Sequence, residues 1–394
     1  MIILTINAGS SSLKISIFEK KKSLTEKAFI HIDGISKKNC HILYNSKTHE
    51  FNQEIEIKNH SEALEIGLFT LLESEALNSL EDISAIGHRI VHGGELYKEA
   101  IKIDKDVLKN LEKISSIAPL HNPVNIESYK ESLKYFKKTP QIAIFDTAFN
   151  QSIEEKNYLY AIPKFFYKDH KIRKYGFHGI SHNFVTKEAL KLLKNDKAKI
   201  ISCHIGNGAS ITATIGGKAI DTSMGFTPLE GIIMGTRSGS IDPGLIFHIL
   251  DKLKISSKKL YKLLNEESGL KAISEISHDM REIYASSLAK DEKAILAIEM
   301  LSSSIKKTIG AYLAELNGAD AIVFTGGLGE KAFYVREKSL STLKFAGIEI
   351  DKTKNKKNEL EIHKTNSKTK IFIIKSDEQK EIAIETHRFL ENSK

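Results

Sequence analysis

The order of apolar and polar residues at the start of the chain predicts two strands joined by a tight turn. The apolar run 1–6 (MIILTI) enters a turn of small residues, and the alternating run 13–18 (LKISIF) follows it. Continuous apolar runs and two-residue alternation are both typical of strands. The same order recurs at 201–215, around a second turn of small residues at 204–208. Two such hairpins in the two halves of the chain predict a duplicated fold.

The rest of the chain mixes strand and helix patterns, which predicts an α/β fold. Alternating segments predict a small antiparallel meander over 31–35, 41–44 and 51–57. Short apolar runs predict buried strands at 83–91, 141–145, 319–324 and 370–374. Helical spacing predicts helices over 61–80 (with Ser61 as its N-cap), 105–117 and 294–316, and one that begins at Pro243 after Asp242. The Lys- and Asn-rich tract 351–358 predicts an exposed loop.

Length and composition indicate a two-domain globular protein rather than a membrane or nucleic-acid-binding protein. The 394 residues exceed a typical single domain, so we expect domains at 1–150 and 151–377, with the last helix (378–394) joining the first. No apolar run approaches the roughly 18 residues of a membrane span, and no signal peptide is apparent. The net charge of +8 comes from dispersed lysines without interleaved aromatic residues, so no nucleic-acid partner is expected. Two cysteines far apart in sequence fit a reducing, cytoplasmic setting.

Three turns of small residues follow apolar strands and predict phosphate binding. They are the first hairpin turn, the turn at 204–208 and the segment 326–330. Glycine and serine leave no bulk between the backbone N–H groups and a phosphate. The chain has neither a GxxxxGK[ST] loop nor a GxGxxG segment that opens a helix, which argues against P-loop and Rossmann folds. The three turns together favour an enzyme that uses ATP.

Five short segments place ionisable residues beside apolar or glycine-rich sequence. They are His88-Arg89, His121-Asn122-Pro123, Phe145-Asp146-Thr147, Phe177-His178-Gly179 and Gly235-Thr236-Arg237-Ser238-Gly239. One isolated histidine is more often structural, but five such segments favour a site, because buried charge is costly without a partner. Arginines suit carboxylate and phosphoryl groups, and histidine can donate to an oxygen that gains charge. Asp146 and Glu378 offer the hard oxygen ligands that Mg²⁺ prefers.

Longer motifs give the chain a family resemblance. They are NAGSSSLK (7–14), GHRIVHGG (87–94), FDTAFN (145–150), YGFHGISH (175–182), HIGNGAS (204–210), DTSMGFTPLEG (221–231), GTRSGSIDPG (235–244) and FTGGLGE (324–330). Because these motifs follow one another in this order along the chain, it resembles the acetate kinases, which belong to the acetate and sugar kinase, Hsp70 and actin superfamily. The resemblance implies two duplicated actin/Hsp70-like (ribonuclease H-like) domains with a nucleotide cleft between them. It also implies in-line transfer of a phosphoryl group between ATP and the carboxyl group of acetate, which gives acetyl phosphate.

The resemblance also implies roles for individual residues. Asn7 and Glu378 would hold Mg²⁺ (Mn²⁺ substituting), and Arg89 would bind the acetate carboxylate. Asp146 would be the essential acidic residue, as a metal or geometry residue, while His178 and Arg237 would stabilise the transition state with support from His121. The pocket for the methyl group would comprise Val91, Leu120, Phe177 and Pro228. The residues implied to contact ATP or ADP are Lys14, His204, Ile205, Gly206, Asn207, Gly208, Asp279, Met280, Arg281, Gly326, Gly327, Leu328, Gly329 and Glu330.

Three functions stay open at this point, and one motif departs from the family. A kinase for propionate or butyrate is an alternative, because one methylene in an apolar pocket is worth only about 1–3 kcal/mol. A non-enzymatic ATP-driven clamp is another, although Arg89, His121, His178 and Arg237 argue against it.

The resemblance implies a homodimer, with nucleotide and dimer contacts on the second domain and acetate on the first. Where the family has Thr-Asn-Glu-Glu, this chain has Ser-Asp-Glu-Gln at 376–379.

Overall fold

The structure, a computed structural model, describes residues 1–119 and 121–392, and it divides into two compact units. Unit one comprises Met1–Phe149 together with Asp377–Lys394, and unit two comprises Asn150–Ser376. Each unit has its own mixed sheet with helices packed against it. The predicted α/β class is therefore confirmed.

Unit one is built on an eight-stranded sheet. Its strands are β1 (Ile2–Ala8), β2 (Ser12–Lys20), β3 (Leu24–Asp33), β4 (Cys40–Ser46), β5 (Glu50–Ile55), β6 (Ile83–Ile90), β7 (Ile101–Lys102) and β8 (Gln141–Phe145). The spatial order is β5-β4-β3-β2-β1-β6-β8-β7. Strands β1 to β5 pair antiparallel, as the predicted meander requires, whereas β1, β6 and β8 run parallel. The carboxyl ends of β1, β6 and β8 therefore lie at one edge of the sheet.

Helices cover the sheet of unit one because its strands bury apolar residues on both faces. The helices are α1 (His60–Glu73), α2 (Lys105–Ile114), α3 (Asn122–Tyr135) and the last helix of the chain (Glu378–Asn392). Leu4 and Ile15 share a core cluster with Leu64 of α1, while Ile3 packs with Ala383 of the last helix. That helix passes so close to β6 that a Cβ on Gly87 would lie 2.2 Å from Oγ1 of Thr386. Glycine at 87 therefore permits this packing.

Unit two is built on a five-stranded sheet with more helices. Its strands are β9 (Lys199–Ile205), β10 (Ala209–Ile215), β11 (Lys218–Thr222), β12 (Ala321–Thr325) and β13 (Lys370–Ile373). Its helices are α4 (Glu155–Tyr158), α5 (Phe165–His170), α6 (Gly179–Leu193), α7 (Pro243–Lys252), α8 (Ser257–Glu266), α9 (Gly269–Ser274), α10 (Met280–Leu288), α11 (Glu292–Glu315), α12 (Gly326–Lys331), α13 (Phe333–Leu340) and α14 (Lys352–Lys356). The last helix of the chain, in unit one, is therefore α15.

The two sheets repeat one topology. In unit two the order is β11-β10-β9-β12-β13, in which β9 to β11 are antiparallel and β12 and β13 run parallel to β9. The order β3-β2-β1-β6-β8 in unit one has the same sequence of antiparallel and parallel pairs. The hairpin β1–β2 therefore corresponds to the hairpin β9–β10. The duplication predicted from the two hairpin motifs is confirmed.

Several local predictions need correction. The N-cap of α1 is Asn59, whose side chain accepts from the backbone N–H of Glu62, so Ser61 lies inside the helix, which ends at Glu73. The tract 351–358 contains α14, and its Asn355 is fully buried rather than exposed. Segment 326–330 is helical, as α12, and is not a turn between strands. Both cysteines are free and buried. Within the described residues, no helix is long and apolar enough to cross a membrane.

Candidate active site

In unit one, four predicted residues meet at the carboxyl edge of the parallel strands. Asn7 lies near the end of β1, Arg89 near the end of β6 and Asp146 directly after β8, while Glu378 begins α15. Arg89 donates from Nε to Oδ2 of Asp146 (3.0 Å), from Nη2 to the same oxygen, and from Nη1 to Oδ1 of Asn7 (3.1 Å). Asn7 in turn donates from Nδ2 to Oε2 of Glu378 (3.3 Å). Asn7 therefore contacts Glu378 directly and is connected to Asp146 through Arg89.

The charges in this cluster compensate one another. Asp146 is almost fully buried, and Arg89 is its ion-pair partner. Burial by itself would lower the pKa of Arg89, but the charges of Asp146 and Glu378 and the hydrogen bond to Asp146 raise this pKa above its usual value. A guanidinium has five N–H donors, and the contacts with Asp146 and Asn7 use three of them. Asp146 and Asn7 therefore fix the orientation of Arg89, and its remaining N–H donors can bind an anion.

Other predicted residues of unit one lie around the ends of these strands. Lys14 of β2 is the cross-strand partner of Asn7, so the two side chains share one face of the sheet. Val91 is buried directly after β6, and His121 is the residue before α3. The predicted pocket residue Leu120 lies outside the described residues.

Two asparagines of α3, neither of which was predicted as a site residue, hold the segment that follows β6. Asn125 accepts from the backbone N–H of Val91 at 3.0 Å and donates to the carbonyl of Ala8 at 2.8 Å. Asn122 bonds the N–H and the carbonyl of His92 at 3.0 and 2.9 Å. These amides therefore hold the ends of β1 and β6 together. Asn122 follows His121 in the sequence, but nothing in the local pattern indicates its partner 30 residues away.

In unit two, the predicted residues His178 and Arg237 meet at the turn between β9 and β10. A Cβ on Gly208 would lie 3.3 Å from Nε2 of His178 and 3.3 Å from Nη1 of Arg237. The ring of His178 also stacks on that of His204, with 4.4 Å between centroids. His178 has φ of +57°, in the left-handed region that residues with a Cβ rarely adopt. Because Gly208 has no side chain, the ring of His178 and the guanidinium of Arg237 can both approach the backbone of the turn between β9 and β10.

Arg237 is a partly buried guanidinium. It donates from Nη1 to the carbonyl of Pro228 at 3.1 Å, and within the described part of the chain no carboxylate forms an ion pair with it. Burial lowers the pKa of Arg237, partly offset by Tyr261. Because a positive charge that is partly removed from water is costly without a counter-charge, an anion at this position would be bound favourably.

The three segments predicted to bind the nucleotide are neighbours within unit two. Gly235 donates its N–H to the carbonyl of Asn207 (3.1 Å), and a Cβ on it would lie 3.6 Å from Cβ of His278. Gly326 has φ of +78°, and its Cα lies so close to β9 that a Cβ would be 2.8 Å from the carbonyl oxygen of Ile205. The hydroxyl of Tyr334 reaches the carbonyl of Met280 (3.4 Å). The segments 204–208 and 326–330 are therefore in direct contact, and the segment 279–281 is connected to them through Gly235, His278 and Tyr334.

Arg336 is a buried residue that sequence reasoning missed. Its guanidinium donates to the carbonyl of Gly329 (2.8 Å) and to side-chain and backbone oxygens of Asn355 (2.7 and 2.8 Å). Burial lowers the pKa of Arg336 to about 10. Its contacts anchor α12, which carries the predicted nucleotide residues, to α14. No sequence signal marks it, because its partners are 7 and 19 residues away and the more distant one, Asn355, lies in a segment predicted as a loop.

Comparison with known proteins identifies the family. Residues 2–384 match the model of the acetokinase family. The acetate kinase of Thermotoga maritima is 43% identical over 99% of both chains, and that of Halothermothrix orenii is 42% identical over 100% of both. The chain belongs to the acetokinase family.

Solved structures of acetokinase-family proteins agree with the fold described above. A propionate kinase from Francisella tularensis superposes with a TM-score of 0.92 at 40% identity, over 98% of this chain and 99% of that one. The acetate kinase of Porphyromonas gingivalis gives a TM-score of 0.91 at 36% identity, over 99% of both chains. The predicted family resemblance is therefore confirmed, and an ATP-dependent phosphotransferase with a divalent-metal requirement follows from it.

The donor set of unit one fits the metal requirement of the acetokinase family. The described residues contain no group of three or more His, Cys, Asp and Glu side chains that could hold a metal ion. Mg²⁺ does not need such a cage, because it uses one or two carboxylates together with substrate phosphates and water. Asn7 and Glu378 are already joined by a hydrogen bond and supply an amide and a carboxylate group. They are hard oxygen ligands, and the fit supports the predicted metal role without testing it.

The residues predicted to form the methyl pocket are far apart in the sequence. Val91 belongs to unit one, whereas Phe177 and Pro228 belong to unit two, and Phe177 is buried. The carbonyl of Pro228 accepts from Arg237, which ties this proline to a predicted catalytic residue of the acetokinase family. The composition of the pocket stays a prediction.

Proposed function

We propose that this chain catalyses the reversible, Mg²⁺-dependent transfer of the γ-phosphoryl group of ATP to acetate, giving ADP and acetyl phosphate. The observation that supports this most strongly is the approach of Arg237 and His178 to the backbone of Gly208. A guanidinium without a carboxylate partner, a histidine and backbone N–H groups form the donor set that a transferring phosphoryl group requires.

In the proposed forward reaction, an oxygen of the acetate carboxylate forms a bond to the γ-phosphorus. The bond from this phosphorus to the β–γ bridging oxygen breaks, and its electron pair leaves with ADP. Acetate is already ionised near neutral pH, so no base has to remove a proton. Arg237 and His178 donate to the oxygens of the transferring group, where negative charge is concentrated. Catalysis then depends on positioning and charge neutralisation.

Unit one would bind acetate and the metal. Arg89 has donors beyond those used by Asp146 and Asn7, so we infer that it binds the acetate carboxylate while Asp146 fixes its orientation. Asn7 and Glu378 would hold Mg²⁺, and Lys14, the cross-strand partner of Asn7, would lie at the phosphate end. Bound Mg²⁺ would neutralise charge on the phosphate oxygens. In this assignment Asp146 is a geometry residue rather than a proton acceptor.

The substrate is tested by trapping the acyl phosphate with hydroxylamine in the presence of ATP and Mg²⁺, across acetate, propionate and butyrate. We expect kcat/KM to be highest for acetate and low for butyrate, because the four predicted pocket residues suit a methyl group. Propionate is the second candidate, since the Francisella tularensis protein of the same fold bears the name propionate kinase. A preference for butyrate would contradict the proposal, and a preference for propionate would select the second candidate.

We also propose a homodimer, formed through α7. This helix contains no buried residue, and its apolar residues Leu245 and Phe247 are 43% and 66% exposed, as is Leu253 (61%) directly after it. Exposed apolar side chains grouped on one helix are typical of protein interfaces. We expect a dimer in sedimentation velocity, and a Phe247→Glu variant should sediment as a monomer at micromolar concentration. A monomeric wild type would contradict this proposal.

We place the reaction in the cytoplasm, because a reducing compartment suits the two cysteines. Cys40 and Cys203 are both free and buried, in different units. Burial raises the pKa of both thiols, so neither is poised to react as a thiolate.

A further inference from the structure

A second histidine lies behind His178 and has no role in the proposed reaction. His182 is one helical turn along α6 and is fully buried. Its Nε2 is 2.7 Å from Oγ of Ser210, and the same hydroxyl is 2.9 Å from Nδ1 of His178. On its other side, Nδ1 of His182 is 2.7 Å from Oγ of Ser202. The hydrogen bonds form a continuous chain from Ser202 through His182 and Ser210 to His178.

The chain constrains where its protons lie. Burial, together with the charge of His204, lowers the pKa of His182 well below its usual value, so this ring is neutral. A neutral imidazole donates from one nitrogen and accepts at the other. The Ser210 hydroxyl has one proton for two imidazole nitrogens, so one of the two rings must donate to it. The tautomer of His182 and the protonation of Nδ1 in His178 are therefore coupled.

We propose that His182, acting through Ser210, is a positioning residue that fixes the ring of His178 for phosphoryl transfer. The contact of His182 with Ser210 does not depend on the proposed function, and only its expected effect on catalysis rests on that function. The ring of His178 is held at Nδ1 by Ser210 and on one face by the stack with His204. Its Nε2 edge is thereby directed to the backbone of Gly208, beside Arg237. A ring that loses the contact at Nδ1 can rotate about its side-chain bonds and misalign this edge.

Two substitutions of His182 distinguish the effect of losing the hydrogen bond to Ser210 from the effect of losing a buried ring. In His182→Gln, the longer amide reaches the position of Nε2 and can keep a hydrogen bond to Ser210. In His182→Asn, the shorter amide reaches the position of Nδ1 and keeps only the bond to Ser202. We expect kcat to fall about 10–100-fold in His182→Asn and in Ser210→Ala, the range typical of misplaced catalytic groups. His182→Gln should retain most of the kcat, with KM for ATP within about threefold of wild type in all three.

A matched control comes from His363, another buried histidine of unit two. Its Nδ1 accepts from the backbone N–H of Ile371 at 3.3 Å and it has no contact with His178. His363→Asn should lower the melting temperature without changing kcat. In a His178→Ala background, His182→Asn should change kcat by less than about twofold, because the two residues act as one unit. Equal kcat in His182→Asn and His182→Gln, or additive effects in the double variant, would overturn the inference.

Nitrogen-15 NMR of histidine-labelled protein tests the contact apart from catalysis. The Nδ1 resonance of His178 should shift in Ser210→Ala and His182→Asn, and stay unchanged in His363→Asn. An unshifted resonance in the first two variants would overturn the positioning role, whatever the kinetics. If the resonance shifts but His178→Ala keeps wild-type kcat, the contact stands and the proposed catalytic role of His178 fails. Ser210→Ala provides the measurement if the His182 variants do not fold.

Discussion

Gln379 donates its side-chain amide to the hydroxyl of Thr5, 374 residues earlier in the chain, at 3.0 Å. The same amide reaches Oγ of Ser16 at 3.3 Å, so one residue of α15 bonds to both strands of the first hairpin. Gln379 occupies the position where the family pattern has a second glutamate. A neutral, buried amide at this place joins α15 to the sheet, and the proposed metal role falls to Glu378 alone of the two positions.

We therefore expect Gln379→Ala to weaken the fold and to leave the metal requirement unchanged. Removal of a buried hydrogen-bonding group costs about 1–3 kcal/mol of unfolding free energy. Urea denaturation measures this loss, and Mg²⁺ titration of activity measures the metal requirement. Arg388→Ala, on the exposed side of α15, is the control and should cost less than about 1 kcal/mol. An unchanged urea midpoint in Gln379→Ala would show that its contacts with Thr5 and Ser16 do not stabilise the protein.

Glu378→Gln should raise the Mg²⁺ concentration needed for half-maximal activity. The substitution keeps an oxygen that can accept from Asn7 but removes one of the negative charges near Arg89. Excess Mg²⁺ should restore part of the kcat, because only one ligand has lost its charge. The measurement is activity against Mg²⁺ concentration at saturating ATP and acetate, with Gln379→Ala as the neighbouring control. Identical curves for Glu378→Gln and wild type would exclude Glu378 from the metal site.

Arg89→Lys should raise the KM for acetate strongly although the positive charge is kept. A lysine ammonium cannot reproduce the fork with which Arg89 contacts Asp146 and Asn7 and still present donors to a carboxylate. The KM for ATP should change much less, because Arg89 is assigned to acetate. Initial rates over a matrix of both substrate concentrations separate the two constants. A selective rise in the KM for ATP would move Arg89 from the acetate site to the nucleotide site.

Arg237→Ala and His178→Ala should each lower kcat about 10²–10³-fold, the cost typical of losing one donor to developing charge. Both side chains approach Gly208, so Gly208→Ala should also lower activity by crowding them, since its Cβ would lie 3.3 Å from each. Single-turnover measurements with saturating substrates report the chemical step directly. A near wild-type kcat in His178→Ala would remove it from the proposed transition-state donors.

Stability should fall as the solution is acidified, partly because of His88. Burial lowers the pKa of His88 to about 4, although its Nε2 donates to Oε1 of Gln141 at 2.6 Å. Between the usual value of 6.5 and about 4, the unfolded chain holds a proton that the folded chain lacks, so protons favour unfolding. His88→Gln should therefore reduce the slope of unfolding free energy against pH by up to about 1.4 kcal/mol per pH unit. Urea denaturation between pH 4.5 and 7.5 measures the slope, and an unchanged slope would contradict the assigned pKa.

The sequence predicted those elements whose signal is local. The strand 141–145 coincides with β8, and the hairpins at 1–18 and 201–215 coincide with β1–β2 and β9–β10. Asp242 caps α7 through the N–H of Gly244, as the Asp-Pro order predicts. In these segments the spacing of apolar residues and the capping residue agree with the fold, so the elements could be predicted without knowledge of distant contacts.

Local patterns failed where a distant partner decides the structure. Segment 351–358 is rich in Lys and Asn and looks like a loop, yet Asn355 is buried because Arg336 binds it. The same limit applies to the site: Asp146 and Arg89 could be predicted as candidates, but their ion pair spans 57 residues. His182 lies in a recognised motif, and only the position of Ser210 shows its contact with His178.

The return of α15 to unit one sets an order of assembly. Unit two is one uninterrupted segment, Asn150–Ser376, whereas the sheet of unit one needs α15 to cover Ile3 and Phe18. On the ribosome, unit two can therefore complete its core while unit one still exposes an apolar face. The unit whose strands are synthesised first is therefore the last to complete its core, and the same late step brings Glu378 to Asn7. Nascent chains that stop before α15 should thus be substrates for chaperones, with a folded unit two and without the contact between Glu378 and Asn7.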